Sequence, residues 1–179
     1  MENLKYFDEL KRSMDWLGEK EDTFFLGQAV EYQGTAITNT LTGIDRNKLL
    51  EMPVNEDMQM GMSIGMAMNG TIPISIFPRW NFLILATNQI LNHLDQISLM
   101  SNYNAKVIIR TSIGSVRPLD PQHQHRSDFT DGFKLMCKKI DIIRLNEPWQ
   151  IYNAYKRAYE RQDGVSTILV EWGDYYNEK

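Results

Sequence analysis

Glu56 stands immediately before Asp57 and a run built almost wholly of methionine, glycine and other small residues, Met58-Gln59-Met60-Gly61-Met62-Ser63-Ile64-Gly65-Met66-Ala67-Met68. A carboxylate at the entrance of so apolar a helix either complements the helix dipole or handles a proton. Gly61 and Gly65 are four residues apart, as are Ser63 and Ala67, which gives that helix faces a neighbouring backbone can approach closely. A second chemically able group is the loop 110–126, where His123 and His125 lie with Arg117 and Arg126 among Ser, Gly and Pro residues. A neutral imidazole moves protons near neutral pH, and a cationic one beside an arginine holds a carboxylate or phosphate. The aromatics Trp80 and Phe82 form a third group, able to pack in a core or to stack on a ring. Met58, Met60 and Met62 alternate as soft-metal ligands sometimes do, but alternation scatters three thioethers around a helix, so core packing is expected. His93 falls inside a helical pattern and reads as structural.

The chain that must carry these groups has 179 residues, enough for one domain with a proper core, so a single domain over 1–179 is expected. With 42% hydrophobic and 23% charged residues it has a globular composition. Cys137 is the only cysteine, which excludes an internal disulfide, a redox dithiol and a cysteine-pair zinc site, and suggests a buried structural thiol. A net charge of −4 argues against broad binding to nucleic acid or to anionic membranes. No apolar run is long enough for a membrane helix, and the N-terminus lacks the pattern of a signal peptide, so a cytoplasmic location is expected.

Phe7, Leu10, Met14 and Leu17 recur at helical spacing and predict an amphipathic helix over 3–17, closed by Gly18. Short, continuously apolar runs at 23–26, followed by Gly27, and at 72–77, 107–110, 140–145 and 166–171 read as strands buried on both faces. Helical patterns at 57–69, at Leu83 through Ile97, and around Ile151, Tyr155 and Ala158 lie between them. Strands alternating with helices predict an α/β fold: a three-layer, open parallel sheet with helices on both faces. Ligands of such sheets bind beyond the carboxyl ends of the strands, where the loop 110–126 begins.

A longer pattern joins these pieces. Phe25-Leu26-Gly27, then Pro53-Val54-Asn55-Glu56, the glycine- and methionine-rich helix, Pro73-Ile74-Ser75-Ile76-Phe77, and Trp80-Asn81-Phe82 leading into Ala86-Thr87-Asn88-Gln89-Ile90 follow in fixed order. Lys106-Val107-Ile108-Ile109-Arg110, the histidine loop and Thr167-Ile168-Leu169-Val170-Glu171 complete it. This order resembles the pyrimidine-binding domain of transketolase-like thiamine diphosphate enzymes, and most of all the beta subunit of pyruvate and branched-chain 2-oxoacid dehydrogenases.

The resemblance implies a thiamine diphosphate-binding fold of the pyrimidine-binding type and a subunit of an enzyme acting on a 2-oxoacid or ketose. It assigns Glu56 to a ring nitrogen of the cofactor's aminopyrimidine, where a short hydrogen bond promotes the imino form that deprotonates the thiazolium carbon. Phe82 takes the position of the aromatic that packs on that ring, with Trp80 beside it as a second cofactor-facing residue. A histidine of the 110–126 loop is implied to act on the substrate: counting from Arg110 favours His123, counting from Glu56 favours His125, and both remain candidates. Arg117 and Arg126 are the implied substrate-binding residues. No metal ligand is expected on this chain. It has no Gly-Asp-Gly, and Gly173-Asp174 lies too close to Asn177 for that motif, so the tail reads as surface and the magnesium and diphosphate are expected on an alpha-type partner subunit. Homodimer contacts within a heterotetramer are implied as well.

Several positions depart from the family pattern: Asn55 before the glutamate, Gln28 where a carboxylate often follows the Leu-Gly pair, and Pro78-Arg79 between strand and aromatic. Related subunits continue into a C-terminal domain, whereas the sequence in hand stops at Lys179. These departures leave an alternative, a non-catalytic binding or assembly module that keeps the fold.

Overall fold

The computed structural model describes residues 4–32, 34–114, 116 and 120–176. Six parallel strands form one sheet: β1 (Thr23–Gly27), β2 (Leu49–Glu51), β3 (Ile72–Phe77), β4 (Ile108–Ile113), β5 (Asp141–Arg144) and β6 (Thr167–Trp172), in the order β2-β1-β3-β4-β6-β5. The helices are α1 (Tyr6–Gly18), α2 (Ala36–Asn39), α3 (Glu56–Met68), α4 (Trp80–Leu83), α5 (Ile97–Met100), α6 (Thr130–Met136) and α7 (Pro148–Glu160).

Successive strand residues point to opposite faces, so the apolar runs divide between two cores. Phe25, Ile74, Ile76, Ile108 and Leu169 meet Leu10, Met14 and Leu17 of α1 and Ile151 and Tyr155 of α7 on one face. Phe77, Ile109, Ile168 and Val170 meet Met60 and Ile64 of α3, Trp80, Leu83 and Phe133 on the other. The expected three-layer α/β architecture is therefore present, with both β3 and β4 buried along their whole length.

The helix predicted through Leu83–Ile97 is broken up. α4 passes into a 3-10 turn at Ile84–Ala86, then a π-helical stretch at Gln89–Leu94, and resumes as α5. The Thr87 hydroxyl donates to the Ile84 carbonyl, a local bond that competes with the regular ladder. β2, α2 and α6 had no counterpart in the sequence reading. β2 has only three residues and is half-buried, too short to show a pattern.

Of the two long flanking helices, α7 has clear end chemistry. In α7, Pro148 occupies the first turn and Gln150 Oε1 accepts from the Asn146 and Glu147 N–H groups at 3.0 and 3.1 Å. Beyond its last turn, Lys106 Nζ donates to the carbonyls of Tyr159 and Arg161 at 2.6 and 3.1 Å, a cation at the negative end of the helix.

A buried ionic network joins β4 to β6. Arg110 donates through Nε and Nη2 to the two oxygens of Glu171 at 2.6 and 3.1 Å, and through Nη1 to Thr40 Oγ1 at 2.8 Å. Tyr155 and Tyr176 also donate to Glu171. Burial alone would lower the guanidinium pKa, yet the adjoining Glu171 carboxylate holds it above its ordinary value. Burial, reinforced by Glu171, pushes the hydroxyls of Tyr155, Tyr176 and Tyr6 well up.

Tyr176 packs against Tyr6, and Asp174 Oδ1 accepts from the Val116 N–H at 2.6 Å, so Gly173–Tyr176 is part of the packed structure. This corrects the reading of that part of the tail as surface; Asn177 to Lys179 lie outside the described residues. Among the described residues, no helix is long and apolar enough to cross a membrane.

Candidate active site

Glu56 is the first residue of α3, and the Asn55 side chain caps that helix by accepting from the Met58 N–H at 3.0 Å. The cap fixes where the helix begins and thereby where the Glu56 carboxylate sits, at the carboxyl edge of the sheet beside the end of β1. Glu56 is only 4% exposed. Gln28, the residue after β1, donates through Nε2 to Glu56 Oε1 at 3.0 Å, and among the described residues no protein group donates to Oε2. One turn further along α3, the buried Gln59 donates through Nε2 to Ser75 Oγ and to the Ile76 carbonyl, at 3.1 and 3.0 Å, and its own Oε1 has no partner among the described residues.

Gly27 makes this crowding possible. It has φ +147°, and a Cβ there would lie 2.1 Å from the Ile76 carbonyl oxygen and 2.9 Å from Gln59 Nε2. Only a residue without a side chain lets the ends of β1 and β3 run so close together.

The second part of the site hangs from the end of β3. Ser112 Oγ of β4 donates to the Pro78 carbonyl at 2.7 Å. Arg79 Nη1 then donates to the carbonyls of Gly114 and His125 at 3.0 and 3.2 Å, and Asn81 Nδ2 donates to the Gln124 carbonyl at 3.0 Å. Three bonds from Arg79 and Asn81 therefore fasten the histidine loop to the start of α4. Burial lowers the pKa of Arg79, offset in part by Asp174. The fastened loop lays the His125 ring on that of Phe82, with centroids 5.0 Å apart and planes at 42°. His125 Nδ1 and Asn81 Oδ1 are both buried without a hydrogen-bond partner among the described residues.

The predicted residues thus separate. Glu56, Phe82 and His125 lie at the carboxyl edge of the sheet, Phe82 and His125 in contact. His123 is exposed and makes no ring contact of this kind. Arg126 is exposed at the surface, 3.5 Å from Asp120. Trp80 is fully buried, its indole N–H donating to Thr130 Oγ1 at 3.1 Å and its ring packed on Phe133 at 4.7 Å. Its surface is spent in the core. Arg117 lies outside the described residues.

Three further expectations change. His93 is exposed and lines a groove between α3 and the π-helical stretch instead of packing inside. Of the alternating methionines only Met60 is in the core, whereas Met58 and Met62 are exposed. Cys137 is half-buried, and burial with the nearby Asp95 pushes its thiol pKa up to about 12. Among the described residues, no group of three or more His, Cys, Asp or Glu side chains could hold a metal ion.

Sequence reasoning did not anticipate Glu51, Gln59 or the clamp made by Arg79, because each acts through a contact between segments far apart in the chain. Gln28 was visible only as a departure from a pattern.

No protein-family model matches the chain. It is 31% identical over 185 residues to the pyruvate dehydrogenase E1 component subunit beta of Gracilaria tenuistipitata var. liui, covering 100% of this chain and 56% of that one. The corresponding subunit of Porphyra purpurea is 31% identical over 183 residues, covering 99% and 54%. The chain is homologous to these beta subunits. The subunit of Chaetosphaeridium globosum is 37% identical over 120 residues, covering 66% of this chain and 36% of that one. The chain thus spans about half the length of the curated relatives it matches over its full length. A solved chain described as a split gene transketolase, inactive beta4 tetramer, superimposes with a TM-score of 0.69 at 13% identity, covering 94% of this chain and 50% of that one. The fold is therefore transketolase-like, as the sequence pattern implied.

Proposed function

We propose that this chain is the pyrimidine-binding subunit of a split thiamine diphosphate-dependent enzyme acting on a 2-oxoacid or ketose. The observation that carries the reading is homology to pyruvate dehydrogenase E1 beta subunits along the whole chain, with a buried carboxylate, Glu56, at the carboxyl edge of the sheet.

The side chains fit such a cofactor. Glu56 Oε2 has no protein donor among the described residues and can accept from a protonated ring nitrogen, and Phe82 supplies an aromatic surface for the aminopyrimidine. Thiamine diphosphate, when bound, supplies the carbon nucleophile that attacks the carbonyl next to the bond being broken or made. Glu56 holds the proton at the ring nitrogen, in a site dry enough to strengthen that bond. His125, braced by Phe82 and the clamped loop, presents its ring to the substrate and moves a proton there. Arg117 and Arg126 are proposed to meet the substrate's anionic group from the same loop.

The diphosphate and its magnesium are assigned to an alpha-type partner, since this chain has no Gly-Asp-Gly. Active sites then form between unlike chains of a heterotetramer whose like chains also touch. The fold neighbour, a split-gene chain described as an inactive beta4 tetramer, supports the expectation that this chain is inactive by itself.

The test is calorimetric titration of thiamine diphosphate and magnesium into the chain reconstituted with its partner, followed by turnover of a 2-oxoacid. Uptake and turnover are expected, with Glu56→Gln abolishing turnover while assembly persists. A pair that takes up no cofactor would favour the second reading, an assembly module. The replacements Gln28 and Asn55, both beside Glu56, are what keep that reading in play.

A further inference from the structure

Glu51, the last residue of β2, is the register partner of Gly27, the last residue of β1. Its side chain therefore reaches the turn that follows Gly27. There its carboxylate is occupied entirely by backbone: Oε1 accepts from the Ala29 N–H at 2.9 Å, and Oε2 accepts from Val30 and Glu31 at 2.7 and 2.8 Å. Three successive N–H groups wrapped around one carboxylate form an anion-binding concavity that the chain fills with its own side chain.

The wrapping requires Ala29 to adopt φ +59°, the left-handed conformation that residues with a side chain disfavour. Such backbone persists only where the surroundings over-determine it, and here Glu51 does so. The residue immediately before Ala29 is Gln28, the donor to Glu56 Oε1. Glu51 and Glu56 also flank the short connection 52–55. One segment, 28–31, is thus gripped by Glu51 at one end of that connection and grips Glu56 at the other.

We infer that Glu51 and Gln28 are positioning residues for Glu56. Glu51 shapes the turn, the turn sets the Gln28 amide, and the amide occupies Oε1, so that Oε2 alone is offered to a ligand. An amide suits this task because it donates to a carboxylate without adding charge, whereas a carboxylate at position 28 would face Glu56 with like charge. This inference rests on the reading of Glu56 as the group that meets the aminopyrimidine, and it concerns how that group is aimed.

The test has two arms. In the first, the full chain labelled with ¹⁵N at glutamine side chains is followed by NMR without cofactor. The Gln28 amide protons should exchange slowly with solvent, and Glu56→Ala and Glu51→Gln should each speed that exchange by about tenfold, the equivalent of a hydrogen bond to a charged acceptor at the lower end of its range. In the second arm, the reconstituted assembly is loaded with thiamine diphosphate and magnesium, and deuterium exchange at the cofactor's reactive carbon is timed. Gln28→Ala should slow this exchange roughly a hundredfold, the scale of a small misplacement in a site, while cofactor affinity changes little. Gln28→Asn, which keeps the amide on a shorter stem, should recover only part of the rate. Glu51→Gln combined with Gln28→Ala should be no slower than Gln28→Ala alone, because Glu51 acts through Gln28.

Gln28 amide protons indifferent to Glu56→Ala and Glu51→Gln would overturn the relay, as would additive effects in the double variant. If the unaltered assembly takes up no cofactor, the functional reading fails, and the first arm still decides the contact itself. Ala29→Gly relieves the strained φ and serves as the control: it should leave the Gln28 signals in place.

Discussion

The His125 imidazole rests on the Phe82 ring with centroids 5.0 Å apart, while His123, two residues earlier, is exposed. The two histidines therefore answer differently to a change at Phe82. Phe82→Leu removes the ring current, so the His125 ring resonances should move in a proton–carbon NMR spectrum and those of His123 should stay in place. Shifts of equal size at both would contradict the contact.

Arg79 holds the loop through the carbonyls of Gly114 and His125. A hydrogen bond from a charged donor contributes about 1.5–3 kcal/mol, and the half-buried setting of this guanidinium points to the lower end. In Arg79→Met, backbone amide exchange within 122–125 should accelerate by about tenfold, the equivalent of that lower value, with the sheet's protection unchanged.

The Arg110–Glu171 pair is 1% exposed on each side. Glu171→Gln leaves a buried guanidinium without its counter-charge, which costs about 3–5 kcal/mol, whereas replacing both partners by apolar residues of similar volume costs less than the two single changes summed. Denaturant midpoints of the two single variants and the double variant measure the difference.

Alkaline pH should unfold the chain through the same network. Tyr6, Tyr155 and Tyr176 are buried and their hydroxyls are raised above the ordinary tyrosine value by burial and by Glu171. For a group whose pKa is higher in the folded state, the stabilisation is complete below the unfolded value, about 10, and is lost as pH rises toward the folded one. Stability should be level to pH ~10 and then fall by about 1.4 kcal/mol per pH unit for each such tyrosine. Tyrosinate absorbance should reach its full amplitude only when unfolding is complete.

Cys137 gives a chemical check on packing near Asp95. With its pKa pushed up to about 12, the folded protein carries on the order of a hundred to a thousand times less thiolate at pH 8 than a free cysteine does. Alkylation at pH 8 should be slow by a comparable factor and should become fast in denaturant.

Much of the fold is legible in the sequence because its strands are continuous apolar runs with sharp ends. β1 and β3 occur where Thr23-Phe24-Phe25-Leu26-Gly27 and the run 72–77 place them, bounded by glycine or proline. β2 escaped notice because Leu49–Glu51 is short and half-buried, and α6 because Gly132 interrupts a seven-residue helix. The periodicity of Leu83 through Ile97 was real, but Thr87 diverts the Ile84 carbonyl, and the stretch becomes 3-10, π and α in turn. The resemblance points to Glu56 and Phe82 as site residues, and the fold puts both on segments that follow the carboxyl ends of strands. Gln28 on Glu56 and Arg79 on the loop bridge 28 and 46 residues of chain, and no local pattern encodes a contact of that span. Trp80 misled for a related reason: an aromatic near a site and an aromatic beneath it have the same letter.

The strand order has a consequence for how such a site can change over time. β1 and β3 are neighbours, but Glu56 and its braces depend on the segments after β1 and β2, whereas Phe82 and His125 depend on those after β3 and β4. Two lineages of substitution can therefore proceed with little interference, one retuning the carboxylate through positions 28, 29 and 51, the other reshaping the histidine loop through Arg79 and Asn81. Drift in the second set can leave the first unchanged, which makes the Pro78-Arg79 step a natural place for divergence between related chains.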